Sequence, residues 1–213
     1  ETVGSGVPRI DFSNDANGAL LLEPSRTNIV TNSNDFSAYT LDFSATTTSN
    51  YAISIDGTLN ATRLQSSALN VSGISKVTNA GTSIENKTHT VSCWVKSNGA
   101  NTDFRLKCTH SGILDYFSPN LTATSKWQRF TFTQSFGAGA STNINAGIIN
   151  STLNNSTDLS IYGFQIETES LYATSYIPTS GTTQTRVADT ASGSGNSTVI
   201  NSSEGTVYLE VSA

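Results

Sequence analysis

His89-Thr90-Val91-Ser92-Cys93-Trp94-Val95-Lys96 alternates apolar and polar side chains without a break. In a strand, successive side chains point to opposite faces. Val91, Cys93 and Val95 therefore share one face, and Thr90, Ser92, Trp94 and Lys96 the other. Ser97 to Thr102 is rich in turn residues. Asp103-Phe104-Arg105-Leu106-Lys107-Cys108 then alternates again, with Phe104, Leu106 and Cys108 in phase. Two alternating runs joined by a short turn predict a hairpin. In that hairpin Arg105 and Lys107 share the face of Trp94, and Cys93 faces Cys108. The pair reads as two small core residues or as a cross-strand disulfide, which geometry decides.

The same period continues on both sides. Ala52-Ile53-Ser54-Ile55 runs into Asp56-Gly57, a turn signal, and Ala61-Thr62-Arg63-Leu64-Gln65 resumes a strand. Trp127 to Thr133 has Phe130 and Phe132 in phase. Leu159 to Glu167 reads with Tyr162, Phe164 and Ile166 in phase. Ile144 to Ile149 is a weaker strand. Gly18 to Pro24 reads as a short buried strand stopped by proline. Many short strands separated by turn signals predict an all-β, two-sheet antiparallel β-sandwich.

Composition agrees. Ser, Thr and Asn number 32, 31 and 20, and together they make up 83 of 213 residues, while only 13% are charged. These residues disfavour helix interiors and suit strands and turns. With 36% hydrophobic residues in alternating runs, the polarity does not mean disorder. The net charge is -5 with 11 Lys and Arg, too few cations for a stripe that tracks a nucleic acid. The longest apolar run, Ala19 to Leu22, is far short of a membrane-spanning helix. Asn-x-Ser/Thr occurs nine times, against about six expected by chance, and is compositional.

Catalytic signals are sparse. His89 and His110 stand at a strand start and beside a loop, and no Gly-x-Ser-x-Gly occurs. Asp56, Asp103, Asp115 and Asp158 are scattered beside turns. Glu167 and Glu169 lie two apart, where a strand runs into a loop. No Cys-x-x-Cys or His pair offers zinc ligands. Tyr116 and Phe117 lie near a loop with Pro119, and Trp127 reads as a core residue.

Three ordered segments carry a resemblance. Ala19 to Asn28 is followed by Asn34-Asp35-Phe36-Ser37. Thr90 to Lys96 is the second. Ile161 to Glu167 is the third, followed by Thr174-Ser175-Tyr176-Ile177-Pro178-Thr179 and Thr185-Arg186-Val187-Ala188-Asp189. Together they resemble the carbohydrate-binding-module-like jelly-roll domains of bacteriophage tail and fibre proteins and related bacterial surface proteins. The resemblance implies a galactose-binding-like jelly roll and a non-catalytic role. Related modules often hold a structural calcium through an acidic residue on the last strand. Tyr162 and Gly163 stand at that place here, so no cofactor is expected, and calcium is the one candidate ion.

The expected organisation is an extended lead-in over 1–18, a jelly roll over 19–190, and a linker with a fresh strand over 191–213. That last strand, Glu204 to Val211, opens a lectin-like domain or adds an edge strand. Glu1-Thr2-Val3-Gly4-Ser5-Gly6 reads as a cut from a longer chain.

The expected function is glycan attachment by a module of a virion or extracellular protein. The predicted ligand patch is Trp94, Lys96, Arg105, Lys107 and Gln165. An indole matches the apolar face of a sugar ring, and the cations suit an acidic polysaccharide. The expected partners are a polysaccharide or cell-surface glycan, neighbouring domains of the chain, and further copies, as in a virion trimer. A purely structural domain of a phage fibre is the second reading. A domain of a polysaccharide-degrading enzyme is the third.

Overall fold

A computed structural model describes residues 9–11, 16–67, 71–110, 116–139, 142–150 and 156–190. The expected linker and fresh strand over 191–213, and Asp115, lie outside these residues. The described residues fall into two compact units, one within Ser25–Val187 and one from residues 9–11, 16–24 and 188–190.

In the smaller unit, β1 (Ile10–Asp11) pairs antiparallel with β2 (Ala19–Leu20). Leu20 and Leu22 are more than half exposed, so the expected buried strand over 18–24 is instead two residues of an exposed ribbon. Glu23 is buried and ion-paired to Arg9 at 2.6 Å, and Arg9 also pairs with Asp189.

The larger unit is the predicted all-β sandwich. Its strands are β3 (Arg26–Asn28), β4 (Thr40–Asp42), β5 (Thr46–Ile53), β6 (Leu59–Ser66), β7 (Gly73–Asn79), β8 (Thr88–Ser97), β9 (Thr102–His110), β10 (Leu121–Ala123), β11 (Gln128–Ser135), β12 (Asn143–Asn150), β13 (Thr157–Thr168) and β14 (Gln184–Arg186). One sheet has the order β10-β9-β12-β7-β4. The other runs β11-β8-β13-β3-β14, with β6 also on β13 and β5 on β6. All pairings are antiparallel.

The runs around 89–108 are strands as predicted, but they do not form a hairpin. β8 pairs with β11 and β13, while β9 pairs with β10 and β12 in the opposite sheet. The turn at Ser97 to Thr102 is a corner between layers. Ser97 Oγ holds it by donating to Ala100 O at 2.5 Å, and it lies 2.9 Å from Thr102 Oγ1. Val91, Cys93 and Val95 on one sheet and Phe104, Leu106 and Cys108 on the other are all fully buried, facing the shared core. Phe104 meets Phe130 of β11 edge-on across the core, with ring centroids 4.9 Å apart. Burying each such side chain contributes about 1.5–3 kcal/mol, which sets this register firmly.

Cys93 and Cys108 are free thiols. They belong to opposite sheets, so the expected cross-strand disulfide has no hairpin to span. Burial pushes both thiols up to about 12, so they are inert small core residues.

β13 departs from the expected phase. Leu159 and Ile161 point into the core, and so do Phe164 and Ile166, while Tyr162 faces outward opposite Trp94. A bulge between Tyr162 and Gln165 inserts one residue and reverses the alternation. Gly163 sits there at φ 66°, in the left-handed region that favours glycine.

His89 and His110 are buried core residues on either side of Phe136, at 4.9 and 5.0 Å between centroids. Burial lowers the His89 pKa below its ordinary 6.5. Below about pH 6.5 the unfolded chain therefore takes up a proton that the folded chain refuses, and stability rises with pH. The expected result is a lower urea midpoint at about pH 5.5 than at about pH 7.5, with a smaller difference in His89→Asn. Equal midpoints for the wild type at both values contradict this.

Candidate functional site: the outer face of the seven-stranded sheet

Register arranges the outward side chains of β11, β8 and β13 in rows. One row is Arg129, Trp94 and Tyr162, and the next is Thr131, Ser92 and Gln165. Lys96 lies opposite Ser160, which in turn lies opposite Arg63 of β6. Trp127 precedes Gln128, the partner of Val95, and so stands beside Lys96, whose Nζ lies 5.2 Å from the indole centroid. Both tryptophans of the chain are therefore on this face, and both are half-buried.

Two elements stand on the face and bound it. The β5–β6 turn reaches across from one side. Trp127 Nε1 donates to Ile53 O at 3.0 Å, and the Tyr162 hydroxyl donates to Asp56 Oδ2 at 2.8 Å. Asp56 also accepts from Ser54, Thr58 and Asn60. Burial pushes the Asp56 carboxyl up, but these donors outweigh it and hold it well below the usual carboxylate range. Burial and the bond to Asp56 push the Tyr162 hydroxyl up to about 12, so it stays protonated and keeps donating.

The second element is the segment after β13. Thr174 N and Oγ1 donate to the buried Glu167 carboxylate at 3.0 and 2.5 Å. Ile177 N donates to Gln165 Oε1 at 2.7 Å, and Gln165 Nε2 donates to Thr174 O at 3.4 Å. Between the two elements lies a trough floored by the half-buried Trp94 and Arg129, where Arg129 donates to the buried Ser92 Oγ at 3.0 Å.

At the corner end of the sheet, Arg63 grips Asp158 through Nε and a terminal nitrogen at 2.8 and 2.5 Å. Asn98 donates to the same carboxylate at 2.8 Å and accepts from Ser160. The Arg63 bond, its gain reduced by burial, holds Asp158 below the usual range. A hollow of about 410 Å³ opens beside it, lined by Gln65, Asn98, Thr102, Thr157 and Asp158.

The predicted patch is thus divided. Trp94 and Lys96 lie on this face as expected. Arg105 and Lys107 point outward from the opposite sheet, because β9 belongs to it. Arg105 lies over Phe117 at 4.5 Å, and Lys107 bridges to the Phe117 backbone. Gln165 has the right parity but is fully buried beneath the 170–177 segment, where it organises backbone rather than meeting a ligand. Trp127 is a surface residue of the trough, not core. Its odd number, against the inward Phe130 and Phe132, already put it on the outer face. Tyr162 was hidden by the bulge. Tyr176 was not signalled by alternation at all. It packs on Tyr162 at 5.6 Å between centroids and contacts Ser33 and Asn34 through its hydroxyl.

No family model matches the chain, and no curated protein matches it. Solved structures do. The C-terminal family 22 carbohydrate-binding module of Clostridium thermocellum Xyn10B superposes with a TM-score of 0.52 at 11% identity, covering 70% of this chain and 94% of that one. The tandem family 22 modules of Paenibacillus barcinonensis Xyn10C give 0.51 at 12% identity, covering 71% and 49%. The chain has the jelly-roll fold of carbohydrate-binding modules. A tailspike domain of bacteriophage CBA120 gives 0.46 at 13% identity, covering 66% and 21%.

Gly163 holds this face together. A Cβ there would stand 3.3 Å from Trp94 Cδ1 and 3.4 Å from the Tyr176 ring, on a backbone that only glycine adopts without strain. Gly163→Ala is expected to cost about 1–2 kcal/mol in thermal unfolding and to shift tryptophan emission. An unchanged melting curve and spectrum contradict this reading of the bulge.

Proposed function

We propose that the domain is a non-catalytic glycan-binding module of a larger virion or extracellular protein, and that it attaches through the outer face of the seven-stranded sheet. The observation that carries this reading is the placement of both tryptophans, half-buried, on one bounded face. Trp94 forms the stacking floor for a sugar ring, and Arg129, Lys96 and the trough edges supply hydrogen bonds to its hydroxyls. The family 22 module of Xyn10B is described as binding its ligand in a cleft, and the shared fold supports a cleft reading here. The carboxylates on this face, Asp56, Asp158 and the buried Glu167, are each held by more than one donor, which suits positioning rather than proton transfer. The mechanism invokes no metal and no bond-breaking step. Each site is weak alone, and repeated display on a larger assembly raises the avidity.

A glycan array followed by affinity electrophoresis tests this. Trp94→Ala is expected to weaken binding about tenfold or more, a loss of about 1.4 kcal/mol or more. Arg105→Ala and Lys107→Ala are expected to leave it unchanged. A silent array, or loss in the Arg105 variant with Trp94→Ala unaffected, contradicts the proposal.

A further inference from the structure

The hollow beside Asp158 is a recess apart from the trough. Asp158 stands four residues before Tyr162 on β13, about 13 Å along the strand at roughly 3.3 Å per residue. The β5–β6 turn, fastened to Tyr162 and Trp127, stands on the face between the rows of Ser92 and Asp158. Small-molecule sites have volumes of about 300–1,000 Å³ and mostly apolar linings. At about 410 Å³ this hollow has the volume without the lining. Apart from the Ala100 methyl, its side chains are amides, hydroxyls and one carboxylate.

Several of these groups are held in place from behind. Arg63 Nε and Nη2 donate to Asp158 Oδ1 and Oδ2 at 2.8 and 2.5 Å, and Asn98 Nδ2 donates to Oδ1 at 2.8 Å. A carboxylate has about four acceptor sites, so these three bonds leave one. Ser160 Oγ donates to Asn98 Oδ1 at 2.7 Å, which turns the Asn98 amide nitrogen to Asp158, with one N–H left over among the described residues. Thr157 Oγ1 lies 2.5 Å from Ser66 Oγ, and Thr102 Oγ1 lies 2.9 Å from Ser97 Oγ. Gln65 pairs with Asp158 across the strands, is half-buried, and its side-chain amide has no hydrogen bond among the described residues. Arg63 balances the charge of Asp158, so the hollow has little pull on an ion. An apolar ligand would strand its polar groups. A neutral, hydroxyl-rich ligand suits both constraints.

We propose that this hollow is a second binding site, which takes one neutral pyranose unit by hydrogen bonds alone. The remaining acceptor site of Asp158 takes one ring hydroxyl, and the Asn98 and Gln65 amides donate to its neighbour. No aromatic ring stands among the described residues that line the hollow, so hydrogen bonds rather than stacking set its preference. Asp158 and Asn98 are already fixed, so little ordering is lost when the sugar binds. The site stands whether or not the trough binds a glycan. Where both bind, one chain holds sugar units about 13 Å apart, and each contact raises the occupancy of the other.

A nitrogen-15 NMR titration with the methyl glycosides of glucose, galactose, mannose and xylose, with glycerol as the control, tests this. At least one glycoside is expected to move the Gln65 and Asn98 side-chain amide signals saturably, with a Kd of roughly 1–10 mM, while glycerol does not. Gln65→Ala is expected to weaken binding about fivefold, read at Asn98. Gly99 lines the hollow, and a Cβ there would meet nothing within 4 Å. Gly99→Leu therefore keeps the fold, checked by circular dichroism, while filling the space, and is expected to abolish the shifts. The indole signals of Trp94 and Trp127 report the trough separately, so either site can fail without the other. No saturable shift with any of the four glycosides, equal shifts with glycerol, or shifts that survive Gly99→Leu overturn the proposal.

Discussion

The corner from Ser97 to Thr102 carries the chain from one sheet to the other, and everything functional depends on it. Facing sheets are held about 10 Å apart by the side chains between them. Residues on β8 and β9 can therefore meet only through the core, never on a common outer surface. Val91, Cys93 and Val95 meet Phe104, Leu106 and Cys108 inside. Trp94 and Arg105, which look like neighbours in sequence, are on opposite outer faces. The corner removes two cations from the tryptophan patch. It also leaves β8 free to take β11 and β13 as its neighbours, and these bring Trp127, Arg129 and Tyr162 into that patch.

Strand identity and the inward residues of β8, β9 and β11 were legible in the sequence, because burial imposes a strict period of two. Which strands pair was not legible at β8–β9, because a hairpin and a sandwich corner bury the same alternate residues. The difference lies in long-range partners such as Phe130 against Phe104, which local pattern does not encode. β13 fails for another reason. The bulge at Gly163 reverses the phase in mid-strand, so Leu159 and Ile161 point inward before it and Phe164 and Ile166 after it. A glycine between Tyr162 and Phe164 was the visible trace of that reversal. Gln165 shows a third limit: parity gives a face, but only the fold shows that the 174–177 backbone covers it.

The abundant Ser, Thr and Asn residues take on a structural meaning in this light. Many are hydrogen-bonded to one another or to backbone, as in the Thr88–Ser135 and Thr90–Thr133 pairs between β8 and β11 and the Asn28 side chain joining Phe164, Ile166 and Ile177. They fix the segments that bound the trough with neutral groups, which hold their geometry across a wide pH range. The few charges on the face are likewise tied, with Asp56 fastening the β5–β6 turn to Tyr162 and Asp158 fastening Arg63.

The proposed binding face is the outer surface of the seven-stranded sheet and not that of the opposite sheet. Because the chain's two tryptophans both lie there, their indole N–H signals report on that face alone. The decisive measurement is a nitrogen-15 NMR titration with a glycan scored by the array. The predicted result is movement of both indole signals while the amides of Arg105 and Lys107 stay still. Movement at Arg105 and Lys107 with silent indoles would contradict it.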